Sequence, residues 1–299
     1  MSRCVEPAAA SHLWTRMGWR PEPIRGEYSA VKPMNFRGQW VLVTGASSGL
    51  GRAMAVILAR DHGAHIIAVA RREARLIALR DELAGVAGVQ VETIVADMSN
   101  AADVDRVVQQ ATSGRKLYAA ILNAGVTHFG HHDQLSWPSF EAMLHTNVTS
   151  VVRMTSELIP VLIKQDLGGG IMLVSSMAGL TPIPYQAAYS GTKAFLINFG
   201  CSLWHELQGK NLSITTYAPG GVATEMTEGE NFHKLRRWLM PVDAVARDAV
   251  EAFAARRYVR IPGATNRIGS TLMRLLPQRL VTSQLASSYR KSLLTAVKR

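Results

Sequence analysis

Cysteine is almost missing from this sequence: only Cys4 and Cys201 occur in 299 residues, far apart and without metal-ligand spacing. That argues against a disulfide framework and against a zinc site, and makes a reducing, cytoplasmic setting the expectation. Long apolar runs are missing too. The longest, such as Ala53 to Ala59, fall well short of the roughly 18 residues that a membrane span needs, and the start carries no signal-peptide apolar core. Acidic residues are absent from one stretch: Arg256 to Arg299 contains ten Lys/Arg and no Asp/Glu, whereas residues 34 to 255 are close to neutral. The formal charge of +11 is therefore a property of the tail. No nucleic-acid partner is expected; an anionic membrane surface, touched peripherally, is one reading of the tail.

Residues 1 to 33 contain four prolines and no sustained apolar period, so a disordered and dispensable extension is expected there, with the patterned domain opening at Met34. From that point short apolar runs alternate with stretches whose apolar residues recur three and four apart. Strands are expected at Trp40 to Val43, Ile66 to Val69, Val89 to Val95, Leu117 to Leu122, Ile171 to Val174 and Leu212 to Tyr217. Helices are expected at Leu50 to Asp61, Glu73 to Ala84, Ala101 to Thr112 and Ala187 to Gln208. Strand and helix in alternation imply one α/β domain, residues 34–262, with a doubly wound parallel sheet of Rossmann type. Residues 263–299 read as a basic tail. In it Pro277 suits a first helical turn, and Val281, Leu285, Tyr289 and Leu293 form an apolar stripe that must bury against the domain, a second subunit or lipid.

The first strand runs directly into Thr44-Gly45-Ala46-Ser47-Ser48-Gly49-Leu50-Gly51, and a helix follows at once. A pyrophosphate needs close backbone approach, and the amino end of a helix offers unpaired N–H groups and the positive end of its dipole. Strand, glycine turn and helix in this order point to dinucleotide binding. The TGxxxGxG pattern resembles that of the short-chain dehydrogenase/reductase family, and the resemblance extends from about Asn35 to Met226. It implies an Asp near the adenine, matched by Asp97-Met98, and an Asn-Ala-Gly after the fourth strand, matched by Asn123-Ala124-Gly125. It also implies a Pro-Gly segment after the sixth strand, matched by Pro219-Gly220-Gly221-Val222-Ala223-Thr224, with Thr224 near the nicotinamide carboxamide.

The second strand ends in Arg71-Arg72, where an NAD-preferring protein would place an acid for the ribose 2′-OH. An arginine there can hydrogen-bond a 2′-phosphate, with Ser47 or Ser48 adding a hydroxyl, so NADP is the expected cofactor, NAD the lesser alternative. Arg71 is the expected reader and Arg72 reads as a solvated first-turn residue.

Tyr189 and Lys193 lie four apart on one helical face, where an ammonium beside a phenol would pull its pKa down from about 10. The resemblance supplies the rest of a catalytic set: a serine thirteen residues before the tyrosine, which is Ser176, and an asparagine in the preceding helix, Asn147. It implies that Tyr189 donates the proton to a carbonyl as hydride arrives, that Ser176 steadies the oxygen, that Lys193 also binds the nicotinamide ribose, and that Asn147 positions a water. Ser175 should face the other side of the strand. Members of this family are commonly homo-oligomers, and one is expected here. His128, His131 and His132 match no ligand spacing; they are expected to rim the substrate mouth rather than hold a metal. Glu225 to Met240, with Phe232, Leu235, Trp238 and Leu239, suits a lid over an apolar ligand, so a hydrophobic or lipid-like substrate is expected. The alternative is a non-catalytic NADP-binding sensor, which has no need of the four-residue set.

Overall fold

The computed structural model describes residues 32–228 and 239–296. The expected disordered extension up to residue 31, and Phe232, Leu235 and Trp238 of the expected lid, lie outside the described residues. The described residues from Pro33 onward belong to one compact unit. Its sheet comprises β1 (Trp40–Thr44), β2 (His65–Ala70), β3 (Val91–Val95), β4 (Leu117–Leu122), β5 (Gly170–Val174), β6 (Ser213–Tyr217) and β7 (Val259–Arg260). All pair in parallel, in the order β3-β2-β1-β4-β5-β6-β7. The chain moves outward from β1 to β3 and then returns to the other side of β1 with β4. The crevice at the carboxyl ends of β1 and β4 is therefore the natural ligand position of this Rossmann-like sheet.

Burial explains the strand composition. Every residue of β4, β5 and β6 is buried, as expected of parallel strands covered on both faces. The edge strand β3 keeps only Ile94 buried. Helices α1 (Gly49–Arg60), α2 (Glu73–Leu83) and α7 (Val242–Ala254) share one core with the sheet: Met54, Leu58, Leu76, Leu79, Val245 and Phe253 pack with Val41, Val43 and Ile66. Further helices are α3 (Ala101–Thr112), α4 (Trp137–Leu144), α5 (Ser150–Gln165) and α6 (Ala187–Glu206). Asn100 caps α3 by accepting from the Ala102 and Asp103 amides. Met34 is buried and donates its amide to the Ala254 carbonyl.

Two elements were not legible as patterns. Strand β7 is two residues long, too short for any period, and pairs with Thr216 and Tyr217. The tail is two helices rather than one, α8 (Ala264–Leu275) and α9 (Gln278–Ala296). The stripe of α9 finds its partner on the domain. Val281 is buried, and the Tyr289 ring meets Phe129 edge to face at 5.3 Å. Arg290 Nε donates to the Tyr185 hydroxyl at 3.0 Å.

Candidate active site

The glycine turn between β1 and α1 is built for close approach. Gly45 has φ +71°, and a Cβ there would lie 2.8 Å from Asn123 Nδ2 and 3.0 Å from Ala124 Cα. A Cβ on Gly51 would lie 2.4 Å from the Gly45 carbonyl oxygen. Both positions demand glycine, one for conformation and space, the other for space alone. Asn123 and Thr44 lock the ends of β4 and β1 together: Asn123 Nδ2 donates to the Thr44 carbonyl at 3.0 Å, while Thr44 Oγ1 accepts the Asn123 and Ala124 amides. Ser48, at the amino end of α1, makes no side-chain cap, so the first-turn amides of that helix face the cleft with their dipole. These features fit the pyrophosphate of a dinucleotide.

At the end of β2 the two arginines part company. Arg71 Nη1 stands 3.7 Å from the Asp97 carboxylate. Arg72, read from sequence as a solvated residue, instead reaches back over the turn. Its Nη2 donates to Ser48 Oγ at 2.6 Å and to Ser47 Oγ at 3.1 Å, and its Nη1 pairs with Glu225 at 2.8 Å. The hydrogen bonds from Arg72 and Ser48 hold the Glu225 carboxyl below the usual carboxylate range. No local pattern signals this pairing, because 153 residues separate Glu225 from Arg72.

Asn147 lies in a wide helical turn, residues His145–Thr149, inserted between α4 and α5. Such turns commonly mark functional sites. Its fully buried amide accepts from the Val126 N–H at 2.9 Å and donates to the Val126 carbonyl at 2.9 Å and to Thr192 Oγ1 at 3.0 Å. Thr192 belongs to α6, so Asn147 ties the β4 loop to the helix that carries Tyr189 and Lys193. Ser176 follows β5, and its Oγ accepts the Ala178 amide at 3.1 Å. Ser175 faces away, donating to the Lys193 carbonyl at 2.7 Å, as strand alternation requires. Lys193 is buried and donates Nζ to the Val174 carbonyl at 2.9 Å.

One expectation is corrected. The Tyr189 phenol is pushed up rather than down: the groups packed around it disfavour phenolate, and the hydrogen bond with Ser176 opposes this only in part. The Lys193 ammonium lies 5.8 Å from the Tyr189 ring centroid and bonds to a carbonyl instead. Burial draws Lys193 itself down to about 8. Between that value and its ordinary 10.5 the unfolded chain holds the proton and the folded chain releases it, so this lysine makes stability rise with pH across that window. Denaturant titrations at about pH 7.5 and about pH 9.5 are expected to show a rise in wild type that Lys193→Met loses. An equal rise in both would mean that Lys193 titrates normally.

The cofactor turn and the reacting groups share one cleft of about 940 Å³. Its lining includes Gly45, Ser47, Gly49, Leu50, Arg71, Arg72, Asp97, Met98, Asn123, Ala124, Gly125, Ser176, Tyr189, Lys193, Pro219, Gly220, Val222 and Thr224. Thus the structure brings together residues spread from position 45 to position 224. The same lining carries the apolar Met177, Leu180, Ile183, Met226 and Leu239 together with the polar Thr127, Thr181 and Gln186. Helices α8 and α9 close it with Met273, Leu285 and Tyr289, a contribution no local motif signals. His128, His131 and His132 line a cavity of about 200 Å³ with Tyr185, and the His131 ring meets the Tyr185 ring edge to face at 5.1 Å. Thr127 and Gln186, next in the chain to this cavity's His128 and Ala187, line the main cleft.

Residues 39–234 match a protein-family model described as short chain dehydrogenase. A protein of Myxococcus xanthus (strain DK1622), named an uncharacterized oxidoreductase, is 38% identical over 70% of this chain and 80% of its own length. The human inactive hydroxysteroid dehydrogenase-like protein 1 is 30% identical over 77% of this chain and 67% of its own. Among solved structures, a short-chain dehydrogenase from Sphingobium yanoikuyae in complex with NADPH has a TM-score of 0.72 and 28% identity, covering 79% of this chain and 94% of that one.

Proposed function

The chain belongs to the short-chain dehydrogenase family, and on that premise we propose that it is an NADP(H)-dependent oxidoreductase that interconverts a carbonyl and an alcohol on an apolar, lipid-like substrate. The observation that carries this reading is the meeting of Ser176, Tyr189 and Lys193, tied to Asn147, in one cleft with the glycine turn and with the apolar Met177, Leu180, Ile183 and Leu239. A bound nicotinamide supplies the hydride. The chain's own residues do the rest. Tyr189 holds a proton at its phenol oxygen, and its raised pKa keeps that proton in place through neutral pH. The Ser176 hydroxyl, beside the same phenol, can donate to a substrate oxygen as negative charge gathers there. Lys193 places a cation behind the tyrosine, and Asn147 holds α6 in register by its bond to Thr192.

Preference for the 2′-phosphate rests on Arg72, with Ser47 and Ser48 at its guanidinium and Arg71 beside it. Arg72→Ala is expected to weaken NADPH binding by about 10- to 100-fold, the value of about 1.5–3 kcal/mol for a hydrogen bond to a charged group, and to leave NADH binding nearly unchanged. Arg71→Ala should have the smaller effect, since its side chain is 65% exposed. Fluorescence titration with both nucleotides decides; equal losses for the two would show that neither arginine reads the phosphate.

The decisive experiment for the function is NADPH consumption against a panel of ketones and aldehydes graded in apolar size. Turnover that grows with apolar bulk supports the reading. The human relative named inactive keeps a second reading open, a nucleotide-binding sensor, and that reading is favoured if NADPH binds tightly and no carbonyl on the panel is turned over.

A further inference from the structure

Helix α8 is inside out. The residues it turns to the cleft include the polar Asn266 and the buried Ser270, together with Met273. The residues it turns to solvent are Ile268, Leu272 and Leu275, exposed at 61, 55 and 62%. At 100° per residue these three lie within about 60° of arc, opposite Ser270. Leu276 at the bend and Leu280 in the first turn of α9 extend the same exposed apolar ground, at 55 and 62%. Five of the eleven large exposed apolar side chains among the described residues thus fall within thirteen consecutive positions, from 268 to 280.

A helix of a domain in water buries its apolar stripe and wets its polar one. Here the stripe that α9 presents is already satisfied by Val281 and Tyr289 on the domain, so the outer face of α8 is a second surface. Its surroundings name its partner. The segment from Arg256 onward has ten basic residues and no acid, and the exposed Arg267 and Arg279 bracket Ile268 to Leu276 in the chain. Apolar side chains flanked by arginine, with no carboxylate in the segment, match the interface of an anionic bilayer, where leucine enters the acyl boundary and arginine meets the headgroups. Among the described residues no helix is long and apolar enough to cross a membrane, so contact through these helices is with the surface.

We propose that the outer face of α8 and the first turn of α9 dock the protein on an anionic lipid surface, with Ile268, Leu272, Leu275, Leu276 and Leu280 as the inserted side chains. This inference stands apart from the reaction, because binding to vesicles needs no turnover. Full-length protein is sedimented with phosphatidylcholine vesicles containing phosphatidylserine, and with phosphatidylcholine alone, at low and high salt. Binding to the anionic vesicles is expected, falling steeply with salt and by at least about ten-fold in Leu272→Ser/Leu275→Ser. Arg279→Gln should weaken it by about five-fold, the share of one arginine near the surface. Both variants alter exposed positions, and an unchanged melting temperature verifies their folding. Failure of wild type to bind anionic vesicles at low salt overturns the proposal, as does equal binding by the double serine variant. So does a serine variant that turns an oligomer into monomers while wild type ignores lipid, because the face would then join two copies of this chain.

Discussion

Tyr189→Phe is expected to bind NADPH with close to native affinity while turnover falls by about 10²- to 10⁴-fold, the usual worth of a positioned proton donor. The substitution removes one oxygen and keeps the ring. The ring is what packs beside Lys193, and the cofactor half of the cleft is held by Thr44, Asn123 and the glycine turn, none of which touches the phenol oxygen. What is lost is the transferable proton and the hydrogen bond with Ser176. Steady-state kinetics and nucleotide titration on the same preparation separate the two roles. Near-native turnover in the variant would remove Tyr189 from the chemistry, whereas a large loss of NADPH affinity would make the residue structural.

Gly51→Ala should damage both folding and nucleotide binding. The added Cβ would lie 2.4 Å from the Gly45 carbonyl oxygen and 2.4 Å from Asn123 Nδ2, and the first of these is backbone that cannot rotate away. Either α1 moves off the sheet or the turn opens; overpacking of this kind costs about 1–3 kcal/mol. Since the turn is also where first-turn amides meet the pyrophosphate, NADPH affinity should fall by at least about ten-fold for each 1.4 kcal/mol of lost alignment. Gly191→Ala is the control, because a Cβ there meets nothing within 4 Å, and in the interior of α6 alanine should stabilise by up to about 1 kcal/mol. Denaturant midpoints of the two variants should therefore shift in opposite directions. A neutral Gly51→Ala would show that α1 and β1 are not packed as tightly as the distances state.

Much of the fold and site was legible because it is written in short-range signals. A glycine turn between a buried strand and a helix is a local necessity wherever backbone must approach phosphate, and Gly45 and Gly51 have that constraint in atomic form. Tyr189 and Lys193 share a helical face by spacing alone. The four-residue set was legible through spacing and family pattern, and the tight hydrogen bonding of Asn147 explains why an amide suits that position.

The amino-acid sequence by itself determined the alternation of strands and helices that implies a parallel sheet, the position of the glycine turn, the absence of an acid at the end of β2 and the helical face shared by tyrosine and lysine, since each is written in residues a few positions apart. Only the tertiary structure decided which arginine turns back over Ser47 and Ser48, that Glu225 completes that cluster, that Tyr189 is raised rather than lowered, and that the tail walls the cleft with Leu285 and Tyr289 while turning Ile268 and Leu272 outward. These depend on which distant groups share a volume and exclude water from it, and no local period or spacing encodes that.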